Sequence, residues 1–150
     1  FVRNKIRLEV PVWSPSLCAP GNTLDLGGRR VVKTEEGTHG RCVSTERGYH
    51  SSGKYLFMFA IDDSKRYSRI SVGLRTSKFK YGSKSSVLGS TADGWAYRLH
   101  NGKTLHGGQE TKYGAPARTG DVIGMLLDLD VGTLSFLKNE KVMGIAYWLP

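Results

Sequence analysis

"GDVIGMLLDLDVGTLSFLKNEKVMGIAY", Gly120 to Tyr147, decides the fold. Its first run, Val122 to Asp130, is rich in Val, Ile and Leu and is too short for a long helix. Ile123, Met125, Leu127 and Leu129 recur at a spacing of two, the strand period. The opposite face carries Val122, Gly124, Leu126, Asp128 and Asp130, apolar at one end and charged at the other, as if it left a core and met water. "DVGT" supplies Asp130 and Gly132 for a tight turn. "TLSFLK" alternates again, Leu134 and Phe136 against Ser135 and Leu137. "KNEK" is a second short connection and "KVMGIAYW" a third strand, so the stretch is an antiparallel meander of two hairpins.

Working outward, the same pattern fills the chain. At 150 residues the length suits one domain, which can bury roughly 68–70% of its unfolded surface. The 19 glycines and the shortage of helix-period patterns favour an all-β fold. "KIRLEVPVW" alternates Ile6, Leu8 and Val10 against Arg7 and Glu9; "SPSLCAPGN" reads as a loop. "LDLGGRRVVK" holds two short strands around Gly27-Gly28, and "TEEGTHG" is a polar connection. "KYLFMFAID" reads as a strand buried on both faces, and "RISVGLRTS" follows. "DGWAYRLHNGKTLHGG" is a hairpin around Asn101-Gly102, with Trp95, Tyr97 and Leu99 on one inward face. About ten short strands imply two antiparallel sheets packed as a sandwich. No apolar run is long enough to span a membrane as a helix, and no signal peptide is visible. Phe1 in place of Met suggests a fragment of a larger protein.

Catalytic and metal chemistry find little support. "GYHSSGKY", Gly48 to Tyr55, approaches the phosphate-cradling G-x-x-x-x-G-K-[ST], but Tyr55 lacks the aliphatic hydroxyl that holds magnesium, and a strand follows where the motif needs a helix. Asp128 and Asp130 share a face, yet no histidine or third carboxylate accompanies them. A strand end with Asp130 opening a turn is the plainer account. His39, His50, His100 and His106 form no H-x-x-x-H, and Cys18 and Cys42 form no C-x-x-C. The two cysteines are expected as reduced thiols, with a Cys18–Cys42 disulfide the alternative. No catalytic residue, metal site or cofactor is expected.

Charge says more. The formal net charge is +9. Ser64 to Ala92 contains no carboxylate, while Lys65, Arg66, Arg69, Arg75, Lys78, Lys80 and Lys84 fall there, interleaved with Tyr67, Phe79 and Tyr81. Such a run suits an acidic protein partner, or a nucleic-acid backbone whose bases stack on rings. A solvated edge, guarded by lysines against strand pairing, would carry the same composition.

The order and wording of these strands resemble the SPRY domain. "GYHSSGKYLFMFAID" is similar to that family's "G…SGKHYWEV" strand and "ISVGLRTSKF" to its "VGVAT" strand. "LGSTADGWAYRLHNGK" resembles its LG…GW…HNG segment. Gly120–Tyr147 is similar to its "GDVIGCLLDLDKGTLSFFLNGKPLGVAF". The resemblance is strongest over residues 48–147 and implies one two-sheet antiparallel sandwich of the concanavalin-like jelly-roll type over residues 1–150. It further implies a non-enzymatic, intracellular module, cytoplasmic or nuclear and monomeric in isolation. Such a module binds a short peptide or protein surface through its loops, as in the substrate-recognition part of an E3 ubiquitin ligase. A basic RNA-binding accessory domain is the alternative. By the same resemblance the partner-binding residues are Thr34, Glu35, Glu36 and Gly37, with Tyr81 flanked by Lys80 and Lys84. Two departures carry expectations. Glu140 stands where the family has Gly, so a different turn is expected at "KNEK". The family continues with another strand past the position of Pro150, so the edge near Tyr147 and Trp148 should expose apolar side chains unless "FVRNKIRLEV" folds back beside it, a second copy donates that strand, or the protein continues past Pro150. The fold-back is the expectation.

Overall fold

The computed structural model describes residues 5–34, 42–49, 52–64, 69–81 and 87–150. Thirteen strands and no helix occur among them: β1 (Ile6–Glu9), β2 (Trp13–Cys18), β3 (Asn22–Asp25), β4 (Arg30–Lys33), β5 (Val43–Thr45), β6 (Lys54–Ala60), β7 (Ser71–Arg75), β8 (Gly94–Arg98), β9 (Lys103–His106), β10 (Gln109–Lys112), β11 (Val122–Asp128), β12 (Thr133–Lys138) and β13 (Lys141–Trp148). A five-stranded sheet runs β1-β6-β11-β12-β13 and a four-stranded sheet β10-β9-β8-β7, with β2-β5 and β3-β4 as separate pairs.

The meander forms as its alternation requires. Met125 stands opposite Phe57 on one side and Phe136 on the other, and Leu127 opposite Tyr55 and Leu134. Cross-strand partners share a face, so these six side chains make one apolar layer. Tyr97 and Leu99, from β8 and the turn after it, close on that layer from the other sheet. The Tyr97 and Phe136 rings lie 5.0 Å apart, and Tyr97, Ile123, Leu134 and Phe136 are all fully buried. Trp95 is half-buried at the margin of the core, its ring stacked 4.9 Å from His106.

Buried tyrosine hydroxyls must find acceptors. Tyr97 donates to the Ala115 carbonyl, and burial pushes its pKa up to about 12. Tyr113 donates to Gly144 O at 2.6 Å and accepts from the Phe136 amide at 3.0 Å. Tyr147 lies within reach of both Ala96 O and Leu105 O. These hydroxyls fasten the strands of one sheet to segments of the other.

Several expectations need correction. "SPSLC" is not loop: Trp13–Cys18 forms β2, paired with β5 only at Trp13–Thr45 and Cys18–Val43 with an irregularity between. Pro15 sits in that irregular stretch, where a missing N–H costs no ladder bond. β10 was not expected, because "QETK" is polar and exposed throughout. It follows β9 through Gly107-Gly108, both at positive φ, a two-residue turn joining His106 to Gln109. β6 is buried on one face only: Tyr55 and Phe57 are buried, Leu56 and Met58 half-buried. Asp128 does not meet water. It is buried, pairs with Lys54 at 3.3 Å, and accepts the amides of Asp130 and Val131. Asp130 in turn accepts the Gly53 amide at 2.8 Å. Both carboxylates thus hold turns, and the Gly53-Lys54 step leads directly into β6.

The turn at Asn139-Glu140 is the two-residue type after all. Lys138 pairs with Lys141, and Asn139 and Glu140 lie at φ of 49° and 67°, the mirror-image geometry that suits hairpins. Asn139 makes it tolerable, since its amide side chain accepts from Val122 N at 2.8 Å and donates to Asp121 at 2.9 Å. β1 does not lie beside β13. It pairs parallel with β6, with Leu8 opposite Leu56, at the far edge of the five-stranded sheet. Trp148, 71% exposed, and Val142, 61% exposed, stay uncovered as expected of that edge, while Tyr147 is half-buried.

Candidate functional site

β7 ends at Arg75, and the chain then turns sharply. Thr76 holds the turn, donating its hydroxyl to Asp93 at 3.0 Å and accepting the Lys78 amide at 3.2 Å. Phe79 is buried and acts as a plug that fixes the following residues. Tyr81 stands edge-on to it at 5.4 Å. The Tyr81 hydroxyl donates to Ser44 Oγ, and Arg75 Nε donates to the same oxygen at 3.0 Å. The Arg75 guanidinium lies over the Tyr81 ring, 5.3 Å from its centroid, a cation–π contact. Thus a half-buried ring is fixed by three neighbours, while Lys78 and Lys80 on the same segment are exposed.

The floor of this region is inert. Burial, partly opposed by the Leu88 backbone and Arg75, pushes the Cys42 thiol up to about 11, so it stays protonated and is a poor nucleophile. Cys18 and Cys42 are thiols and not a disulfide. Cys18 opposes Val43, so Cys42, one residue earlier, turns to the other face, and the two see different neighbours.

Gly89 supports the far side. It lies at φ +89°, and a Cβ there would come within 2.1 Å of Leu105 O. Only glycine lets residues 87–93 lie this close to β9.

Of the residues expected at the site, Tyr81 and Lys80 are where a partner could reach them. Thr34 is exposed, its amide and hydroxyl both directed at Gly21 O, at 2.8 and 3.2 Å. Thr34 and Tyr81 are held separately: Thr34 is tied to Gly21, and Tyr81 to Ser44. Glu35, Glu36, Gly37 and Lys84 lie outside the described residues. Sequence reasoning missed Arg75 as a ring partner and Ser44 altogether. Ser44 is 37 residues from Tyr81, and no local pattern reports such a contact. A shallow groove also lies at the β12–β13 turn, lined by Ala115, Lys138, Asn139, Lys141 and Met143. Its Lys138 is already committed to Pro116 O at 2.8 Å.

A two-sheet all-β scaffold that holds an aromatic and basic loop cluster at one margin defines a binding module, with no converging catalytic groups among the described residues. Residues 54–149 match the SPRY domain family, and the chain belongs to it. SPRY domains are protein-interaction modules. The chain is 24% identical over 140 residues to SPRY domain-containing SOCS box protein 3 of Xenopus tropicalis, covering 90% of this chain and 38% of that protein. It is 30% identical over 143 residues to ATP-dependent RNA helicase Ddx1 of Drosophila melanogaster, covering 94% of this chain and 18% of that protein. The chain therefore spans well under half the length of these relatives. Among solved structures, the SPRY domain of human HERC1 superimposes with a TM-score of 0.72 at 23% identity, covering 91% of this chain and 80% of that one, a likeness of fold. No helix among the described residues is long and apolar enough to cross a membrane.

Proposed function

We propose that this domain recognises an acidic protein segment at the Tyr81 cluster, and that in its parent protein it selects the substrate of a ubiquitin ligase. The observation that carries the binding reading is the fixed Tyr81 ring, locked by Ser44, Arg75 and Phe79, beside the exposed Lys78 and Lys80. A pre-positioned ring loses little entropy when a partner packs on it. The lysines beside it favour carboxylates and speed encounter. The ligase role is supported by the SPRY resemblance and by the SOCS box in the name of one relative. Peptides selected from a displayed library on the unmodified domain should bind the K78E/K80E variant on the order of tenfold more weakly, with the acidic ones losing most. Selected peptides indifferent to both K78E/K80E and Tyr81→Ala would move the site elsewhere.

A second reading, an accessory RNA-binding surface, is favoured by the helicase relative and by the net charge of +9. A single-stranded RNA that outcompetes the selected peptides, with affinity falling steeply as salt rises, would favour it.

A further inference from the structure

The outer face of the four-stranded sheet has two unlike ends. Near Gly94 it is covered: Leu88 and Gly89 lie over β8 and β9, and Ala96 and Leu105 are buried there. Four residues back along β7, roughly 13 Å away at strand rise, stands the Ser71–Arg98 pair, where the Arg98 side chain is 14% exposed. Arg98 alternates with the inward Tyr97 and so points outward. Lys103 points the same way, one position beyond the Tyr97–Thr104 pair, and Lys112 stands directly opposite Lys103 on β10. Three cations therefore lie in a row across three adjacent strands, about 4.8 Å apart from strand to strand.

Their compensation is thin. Among the described residues, Glu110 is the one carboxylate that pairs with the row. It pairs with Arg98 and with Lys103, at 3.0 Å to the latter. Among the described residues neither Lys112 nor Arg69 has a carboxylate partner. Arg69 is close enough to oppose the charge on Arg98. His100 is held below its ordinary pKa first by burial, then by Arg98, Arg69 and Lys103, so these groups feel one another. Like charges set directly opposite on neighbouring strands destabilise a sheet, and here the Lys103–Lys112 pair does so beside two arginines. Glu110 thus serves the largely buried Arg98 and the half-exposed Lys103, while Lys112 beside them is exposed.

We propose that this end of the sheet is a second docking surface, taken by an acidic protein segment that lies across β9 and β10 and sets carboxylates against Lys103 and Lys112, beside the Arg98–Glu110 pair. Arg98 is already paired with Glu110 and its side chain is only 14% exposed, so Lys103 and Lys112 carry the contact with the segment's carboxylates. The row offers no exposed aromatic ring among the described residues, and single-stranded nucleic acid draws much of its affinity from stacking on rings. Lying at the other end of β7 from Arg75, the row does not depend on the Tyr81 cluster.

The test is fluorescence anisotropy with a labelled peptide of repeating Glu-Ser and, beside it, a single-stranded RNA of equal charge. K103E/K112E should weaken peptide binding on the order of tenfold. Lys112→Glu alone, at an exposed side chain free of Glu110, should weaken it several-fold with the melting midpoint kept or slightly raised, since it removes the Lys103–Lys112 repulsion. The control K5E/K141E removes the same net charge elsewhere and should change affinity less than about twofold. K78E/K80E separates the two surfaces: a peptide lost on that variant and kept on K103E/K112E belongs at Tyr81, and the row is then not the site. Equal losses on K103E/K112E and K5E/K141E would reduce the effect to net charge and overturn the proposal. So would the absence of measurable peptide binding, or an RNA that binds more tightly than the peptide and is lost on K103E/K112E.

Discussion

Tyr97 and Tyr81 are built alike and placed differently. Each ring meets another edge-on, Tyr97 with Tyr113 at 5.8 Å and Tyr81 with Phe79 at 5.4 Å. Each hydroxyl is satisfied, by Ala115 O for one and Ser44 Oγ for the other. Tyr97, however, is wholly enclosed between the sheets, and its neighbours are rings, Met143 and backbone. Tyr81 is half-buried, and its neighbours are a serine, an arginine, the Phe79 ring and, along the chain, the exposed Lys80. The first arrangement converts burial into stability. The second holds a ring still at the surface, where a partner can use it. Substitutions in the two places should therefore separate stability from binding.

The largest effect belongs to the enclosed cluster. Phe136→Ala should cost about 3–5 kcal/mol, because the buried ring is removed from between two ordered sheets. Urea unfolding measures it, and a loss below about 1 kcal/mol would mean the two sheets are not packed as described.

Tyr97→Phe is smaller. It leaves the Ala115 carbonyl without its donor, a cost of about 1–3 kcal/mol. It also carries a pH signature. With a pKa raised to about 12, the folded state keeps the Tyr97 proton where the unfolded chain has lost it. The folded state then binds more protons, so stability present below pH 10 falls as pH rises toward 12. Tyr97→Phe should reduce that alkaline slope without abolishing it, since burial raises Tyr113 and Tyr147 as well. An unchanged slope would show that Tyr97 is open to solvent.

Glu140→Gly should act in the opposite direction, stabilising by about 1 kcal/mol, because a side chain at φ 67° is strained and glycine is not. A neutral or destabilising result would mean the β12–β13 hairpin uses another turn. Smallest of all, K78E/K80E should change stability by no more than about 0.5 kcal/mol, as exposed positions usually do, while its effect on binding is large.

What was legible in the chain follows the same division. Period-two alternation placed Ile123, Met125 and Leu127 on the core face because a buried face must be apolar at every second residue. The Tyr97 face was readable for the same reason. β10 escaped because an exposed edge strand imposes no such pattern, and β2 because its irregular pairing accommodates Pro15. The turn at Glu140 was misread because its compensation comes from Asn139, whose side chain reaches Val122 and Asp121 through the fold. β1 alternates in sequence, but Ile6 and Leu8 are 48% and 68% exposed, so its alternation marked neither a core face nor an edge. The long connection to β6 permits a parallel partner. At the site, the basic run and Tyr81 were visible as composition. The lock on the ring was not, since Ser44 comes from a short strand brought beside Arg75 only by the packing of separate sheets.

Amide-shift mapping tests the separation most directly. The 15N-labelled domain would be titrated with an acidic peptide selected on it, and its backbone amides followed. The account predicts shifts concentrated at Ser44 and along Arg75 to Tyr81, with Ile123 to Leu127 and Leu134 to Phe136 unmoved and the whole response lost in K78E/K80E. Shifts centred on β11 to β13, or a response that survives that substitution intact, would contradict it.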